Sequence, residues 1–276
     1  MNINWKIKSM MFGLIDAFSL DNALYFIQKN ITRESRGDLG KNDKNWFVHK
    51  EHLSTLTRPN VFEFGAGKIL AQNIFLSQYF ASQTVVDLFP MIEIDLVDQA
   101  ARRISENHPS VAYHAITAIQ DLEHHYGIRY LTPMDASKTP FADSAFDACI
   151  STRTLEHIPR ESIIAIFQEL RRILRPDGLI SAAIDYSDHY ANSDPRIGRL
   201  NFLQYSAKEF KRYNHKVHYQ NRLRHYDFER IFKSLGYKVV KNDTLDYYPR
   251  PERISSEFES DEPTLCAQRG VFLLQN

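Results

Sequence analysis

The feature that most constrains this chain is its alternation of short, wholly apolar runs with longer amphipathic ones. Val61–Phe64, Thr84–Leu88, Ile128–Pro133, Phe146–Ser151 and Leu179–Ile184 read as strands, with helices expected at Ile69–Ala81, Ile92–Asn107 and Arg160–Leu174. The last of these is the clearest. Ile163, Ile166, Phe167, Leu170, Ile173 and Leu174 form one stripe opposite Glu161, Gln168 and Arg172, and Pro176-Asp177-Gly178 stops the helix. Strands with no polar face must be covered on both sides, so the expected class is α/β, a mostly parallel sheet with helices on both faces. A helix at Tyr226–Leu235 and strands at Tyr237–Asn242 and Gly270–Leu274 bring the sheet to seven strands.

Around this unit the pattern differs. Residues 5–29 read as helical from the spacing of Trp5, Met11, Leu14, Ile15 and Phe18, continued by Leu24, Tyr25 and Ile27. Residues 33–45, with Gly37 and Gly40, read as a linker. The expected division is therefore an N-terminal helical extension and linker over 1–45 and a main domain over 46–276. Residues 186–226 fit no period and form an insertion after the fifth strand, a substrate cover by position. The helical extension either lies over the site or forms a homodimer interface. An interfacial membrane helix is a third use, because Trp5, Lys6 and Lys8 flank its stripe.

Charge and cysteine content narrow the partners. Thirty-four basic residues balance thirty-four acidic ones, so no whole-molecule field draws the chain to nucleic acid or anionic lipid, and nucleic acid is not expected as a partner. No run reaches the roughly 18 apolar residues of a membrane span, and Asp16 and Asp21 spoil any reading of the N-terminus as a signal peptide. Cys149 and Cys266 sit in strand-like runs and suit buried packing, which points to a reducing cytoplasm. No metal-ligand cluster stands out by spacing, so no metal is expected.

The chemistry begins at Val61-Phe-Glu-Phe-Gly-Ala-Gly67, a strand running into a glycine turn and then a helix. Such a turn lets backbone approach a ligand near a positive helix end, at the carboxyl edge of a sheet. A dinucleotide turn needs a third glycine where this chain has Leu70, and a triphosphate loop needs Ser or Thr where it has Ile69. Glu63 just before the turn suits an ammonium-bearing ligand. Asp87, twenty residues past Gly67, suits a ribose diol, although a solvated strand-end acid would look the same.

The third motif is Met134-Asp-Ala-Ser-Lys-Thr-Pro-Phe-Ala-Asp-Ser-Ala-Phe-Asp147, followed by Glu156-His-Ile-Pro159 and Arg171-Arg-Ile-Leu-Arg-Pro-Asp-Gly178. Taken with the two before it, the chain resembles the class I S-adenosylmethionine-dependent methyltransferases, in the type 11 group that includes ubiquinone/menaquinone-biosynthesis methyltransferases. The resemblance covers roughly residues 58–186 and implies a Rossmann-like fold and S-adenosyl-L-methionine as cofactor. By that resemblance Glu63, Gly65 and Gly67 hold the aminoacid end of the cofactor. Asp87 binds the ribose, Leu88 packs on adenine, Asp135 and the amide of Ala136 meet the adenine ring, and Ser151 and Thr152 line the methionine portion. Ile69, where many members carry a small residue, departs from the pattern and puts the shape of the first loop in doubt.

If the acceptor is a hydroxyl, a general base is useful. His157, Asp185 and His189 lie at the strand ends where an acceptor would enter, and a packing role for His157 is an equal alternative. Residues 205–230 interleave Lys208, Lys211, Arg212, His215, Lys216, His218, Arg222, Arg224, His225 and Arg230 with four tyrosines. This reads either as a solvated surface or as a cover for an acidic or phosphorylated small-molecule acceptor. Tyr219-Gln-Asn-Arg-Leu-Arg-His225 is similar to methyltransferases of bacterial surface-polysaccharide clusters, which implies a sugar hydroxyl as acceptor. Two other readings stay open: a nicotinamide-dependent Rossmann oxidoreductase, and a methyltransferase-like binding protein without activity.

Overall fold

A computed structural model of the 276-residue chain describes residues 3–17, 44–259 and 261–276. Seven strands form one sheet in the order β3-β2-β1-β4-β5-β7-β6. They are β1 (Asn60–Phe64), β2 (Ser82–Val86), β3 (Ile128–Leu131), β4 (Phe146–Thr152), β5 (Leu174–Asp185), β6 (Lys238–Tyr247) and β7 (Ala267–Gln275). Strands β1 to β5 pair in parallel, and β7 runs antiparallel between β5 and β6. The strand order turns back at β1, so the carboxyl ends of β1, β2 and β4 open onto a crevice, the usual ligand position of such sheets.

The helices are α1 (Trp5–Ala17), α2 (Lys44–His52), α3 (Ala71–Leu76), α4 (Ile94–Asn107), α5 (Ile119–Tyr126), α6 (Arg160–Ile173), α7 (Ala207–Phe210) and α8 (His225–Ser234). Alternate side chains of β1 explain the two-faced core. Val61 joins Trp46, Ile74, Phe75, Val97, Ile104 and Leu122 on one face. Phe62 joins Ile163, Phe167, Leu170, Phe228 and Phe232 on the other. Both faces are closed, as wholly apolar strands require. Cys149 and Cys266 are buried free thiols.

Several boundaries differ from expectation. The helix expected from Ile69 begins at Ala71, because Leu70 takes a left-handed conformation at φ 46° and 1% exposure. The second strand ends at Val86, which leaves Asp87 and Leu88 beyond it rather than in it. Pro176-Asp177-Gly178 lies within β5 as a bulge: Phe146 pairs with Leu174 and Ala148 with Leu179, so extra residues loop out between the two pairs. Helix α5 was not anticipated, since it buries only Leu122 and Tyr126. Nor was α2, which starts inside the expected 33–45 linker; residues 33–43 of that linker and 18–29 of the N-terminal helix lie outside the described residues. Among the described residues no helix is long and apolar enough to cross a membrane.

Helix α1 seats on the 186–226 insertion. The Trp5 ring is 5% exposed and meets Tyr190, Tyr205 and Tyr213 at centroid distances of 5.5, 5.8 and 4.6 Å. Its amide donates to Asp194 Oδ2 (2.9 Å). The Ser9 hydroxyl lies 3.0 Å from His215 Nε2, and the Phe12 ring lies 5.0 Å from that of His218.

Candidate functional site

The site is built on the turn after β1. Gly65 and Gly67 adopt φ of 75° and 76°, in the left-handed region that favours glycine. A Cβ on Gly65 would fall 2.3 Å from Thr154 Cγ2, whereas one on Gly67 would meet nothing within 4 Å. The first glycine is therefore demanded by packing as well as by φ, the second by φ alone. The Gly65 amide donates to the Val86 carbonyl (3.0 Å) and its carbonyl accepts from Thr154 Oγ1 (3.0 Å), tying together the ends of β1, β2 and β4.

Glu63 is 2% exposed. Its carboxyl oxygens accept from Asn73 Nδ2 (2.5 Å) and Gln72 Nε2 (3.1 Å), both at the start of α3. Burial pushes its pKa up to about 8; the Asn73 bond opposes the shift and nearby Asp87 adds to it. Asp87, 5% exposed, accepts from the Tyr130 hydroxyl (2.8 Å) and is pushed by burial up to about 6. The two acids lie close enough to interact, and the Met134 amide donates to the Asp87 carbonyl (2.9 Å), so the end of β3 adjoins them. Asp135 sits at the exposed rim, its Oδ1 accepting from the Ser137 amide (2.8 Å) and hydroxyl (2.7 Å). Ala136 is buried at 7% exposure, and Leu88, 56% exposed, presents apolar surface beside the crevice.

At the end of β4 the Ser151 hydroxyl is buried without a hydrogen-bond partner, and Thr152 joins a polar chain the sequence did not announce. Thr152 Oγ1 donates to Gln72 Oε1 (2.9 Å), so it accepts from His49 Nε2 (2.7 Å). His49 Nδ1 then accepts from Ser181 Oγ (2.7 Å), which accepts in turn from His52 Nδ1 (2.8 Å). Because an amide carbonyl only accepts, Gln72 sets the direction of every bond in the chain. Burial holds both imidazoles neutral, His49 pushed down to about 3 and His52 to about 4. Gln72, Asn73, Tyr130, Thr154, His49 and His52 were all missed from the sequence. The Gln72-Asn73 pair at the expected helix start was the one available signal.

The three acceptor-side candidates come together after β4 and β5. The ring centroids of His157 and His189 are 4.8 Å apart, and His189 Nε2 is 4.0 Å from Asp185 Oδ2. Burial pushes His189 down to about 4; His157 adds to this and Asp185 opposes it. His157 Nδ1 faces the Tyr219 carbonyl (3.1 Å), so that nitrogen carries the proton.

The basic segment is different in kind from a substrate cover of free cations. Arg224 is fully buried and donates to the carbonyls of Leu265, Tyr186 and Ala267. Arg222 donates to Phe202 and Tyr205 carbonyls and faces Glu257, and Arg230 pairs with Glu259. His225 is packed between Tyr186 and Asn242, and His215 and His218 seat α1. These groups hold the insertion together. Lys208, Lys211, Arg212 and Lys216 are the exposed cations of the segment's first half.

Compared with known proteins, residues 63–182 match the family model described as methyltransferase domain. Among solved structures the chain is similar to the 1,6-didemethyltoxoflavin-N1-methyltransferase of Burkholderia thailandensis, solved with 1,6-didemethyltoxoflavin and S-adenosylhomocysteine. The TM-score is 0.52 at 14% identity, over 94% of this chain and 86% of that one. A SAM-dependent methyltransferase from Aquifex aeolicus gives a TM-score of 0.50 at 14% identity, over 91% of this chain and 97% of that one. At these identities the likeness is one of fold. No curated protein matches the chain in sequence.

Proposed function

Because residues 63–182 match the methyltransferase-domain family, this chain is read as an S-adenosylmethionine-dependent methyltransferase, and we propose that it methylates a hydroxyl of a polar small molecule bound beneath the 186–226 insertion. The observation that carries this reading is the convergence of Glu63, Gly65, Asp87 and Thr152 on one crevice, with His157, Asp185 and His189 at its far side.

The residues present suit the cofactor. Gly65 has no room for a Cβ beside Thr154, and Gly67 leaves open space above the turn. Asp87 keeps one carboxyl oxygen beyond its Tyr130 bond for a ribose hydroxyl. Leu88 offers an apolar surface to the adenine, while Asp135 and the amide of Ala136 would meet its edge. Glu63 is sealed behind Gln72 and Asn73, so it would meet the aminoacid end only through those amides. Ser151, with its unpartnered buried hydroxyl, and Thr152 line the methionine portion.

S-adenosylmethionine supplies an activated methyl group on a sulfonium, and the protein's share is alignment and proton removal. The acceptor's O–H proton would pass to the Asp185 carboxylate, beside which His189 and His157 lie. With that proton removed, the acceptor's oxygen would take the methyl group that the cofactor supplies. Helix α1 packs beside this end, with the Phe12 ring 5.0 Å from that of His218, which in turn lies 6.5 Å from that of His189.

The test is turnover of labelled methyl groups into a fractionated small-molecule extract. His189→Ala should lose turnover and keep S-adenosylhomocysteine affinity in calorimetry. Unchanged turnover would remove His189 from the acceptor side. Incorporation only into macromolecules would refute the small-molecule reading.

A further inference from the structure

We propose that Glu156, His157 and His189 bind a divalent first-row transition-metal cation, such as Zn2+, at the acceptor end of the crevice. One ligand atom from each residue lies within 4.8 Å of the other two. Ligands sharing one such ion stand roughly 3.3 Å apart, so side-chain shifts of about 1 Å close the set.

The independent observation is Glu156. It is 3% exposed, and its carboxyl oxygens face the backbone amides of Glu156 and Asp185 without closing a well-formed hydrogen bond, with the Arg153 charge nearby. A buried carboxylate in that position is costly unless a cation or a proton meets it. The two imidazoles nearest to it are already arranged as ligands. Tyr219 accepts from His157 Nδ1, which leaves Nε2 with its lone pair outward. Asp185 Oδ2 stands 4.0 Å from His189 Nε2, beyond hydrogen-bond distance but near enough for a small shift to bring it to the carboxylate–histidine arrangement that orients metal-bound imidazoles. Gln220 Oε1 accepts from the His189 amide (3.2 Å) and the Asn221 amide donates to the Glu156 carbonyl (2.9 Å). One short run, 219–221, thus holds all three ligands in place.

Two nitrogens and one carboxylate oxygen favour zinc, iron, cobalt or nickel over magnesium and calcium, which prefer oxygen alone. Three protein ligands leave a coordination position open. His157 is exposed while Glu156 is buried, so the ion would enter from the His157 side. The role of the ion rests on the methyl-transfer reading: it would seat the acceptor's oxygen and ease loss of its proton, with Asp185 as the receiving carboxylate. Binding itself does not depend on that reading.

The experiment uses the full chain, stripped with chelator, loaded with Zn2+, desalted and assayed for metal per chain. Co2+ loading adds a ligand-field spectrum. One zinc per chain is expected, lost in Glu156→Gln and His189→Ala and kept in His124→Ala and His125→Ala, which alter a separate exposed group whose His114 and His125 rings stack at 4.7 Å. Should Glu156→Gln fail to fold, the exposed His157→Ala gives the same reading. Absence of stoichiometric zinc, retention in the ligand variants, loss only in the His124 or His125 variants, or preference for Mg2+ would each overturn the site. S-adenosylhomocysteine affinity measured on the same samples separates the two readings. Cofactor binding without zinc leaves the methyltransferase and removes the metal, and zinc without cofactor binding does the reverse.

Discussion

At the scale of single residues, Gly65 and Glu63 make the sharpest predictions. Gly65→Ala places a methyl 2.3 Å from Thr154 Cγ2 and an L side chain at φ 75°. We expect loss of S-adenosylhomocysteine binding in calorimetry. In a Thr154→Ala background the clash is relieved while a conformational cost of about 1 kcal/mol persists, so binding should return only in part. Glu63 sets a pH dependence. Its pKa of about 8 in the fold, against 4.5 for an ordinary glutamate, means the folded chain holds a proton that the unfolded chain releases. That contribution to stability is fully present below pH 4.5 and is lost as pH rises toward 8, at a slope of up to about 1.4 kcal/mol per pH unit. Glu63→Gln should flatten the slope. Urea midpoints of the cofactor-free chain at pH 5 and pH 8 check this, and an undiminished slope in the variant would assign the effect elsewhere.

The glycines and acids of the crevice were legible from the sequence because strand-then-turn order places them at one edge. Their partners were not. Gln72 and Asn73 meet Glu63 only because Leu70 turns left-handed and starts α3 at Ala71, a conformation that no propensity of leucine announces.

At the scale of elements, two short segments organise the acceptor end. The first is 219–221, whose next contact is Asn221 Nδ2 with the carbonyls of Leu155 (2.6 Å) and Ile158 (2.8 Å). Asn221→Ala leaves both carbonyls short of a donor, which costs about 1–3 kcal/mol. Steady-state assays on the natural acceptor should show a lowered kcat, with S-adenosylhomocysteine affinity unchanged because the crevice at β1 and β2 is untouched. The second is α1. Trp5→Ala removes a buried ring that three tyrosines surround, at a cost of about 3–5 kcal/mol, and should expose the face under α1 to proteolysis first at 186–226. Limited digestion followed by mass spectrometry reads this directly.

The basic residues of 205–230 show why composition misleads at this scale. A run of cations reads as a surface for anions, but Arg224 has no solvent contact and satisfies three carbonyls where β7 and the insertion meet. Nothing in linear order distinguishes a guanidinium that ties loops together from one that waits for a ligand.

At the scale of the whole molecule, the parallel sheet with an antiparallel β7 opens a crevice at the carboxyl ends of β1, β2 and β4, where the proposed cofactor would lie. A ligand that binds only the folded chain stabilises it by mass action. S-adenosylhomocysteine at a hundredfold excess over its Kd should add about 2.7 kcal/mol, or roughly 5–10 °C in Tm for a chain of this size. NADH at the same concentration should add nothing. A shift with NADH alone would restore the oxidoreductase reading.

By itself the sequence determined the class of fold and the edge of the sheet at which Glu63, Gly65, Gly67 and Asp87 lie. Apolar runs too short for helices must be buried strands, and glycines after a strand mark its carboxyl end. Only the tertiary structure decided which polar groups share that edge. Glu156, His157 and His189, or His49, Thr152 and Gln72, come from separate segments, and their meeting depends on side-chain direction and strand register, which no local pattern encodes.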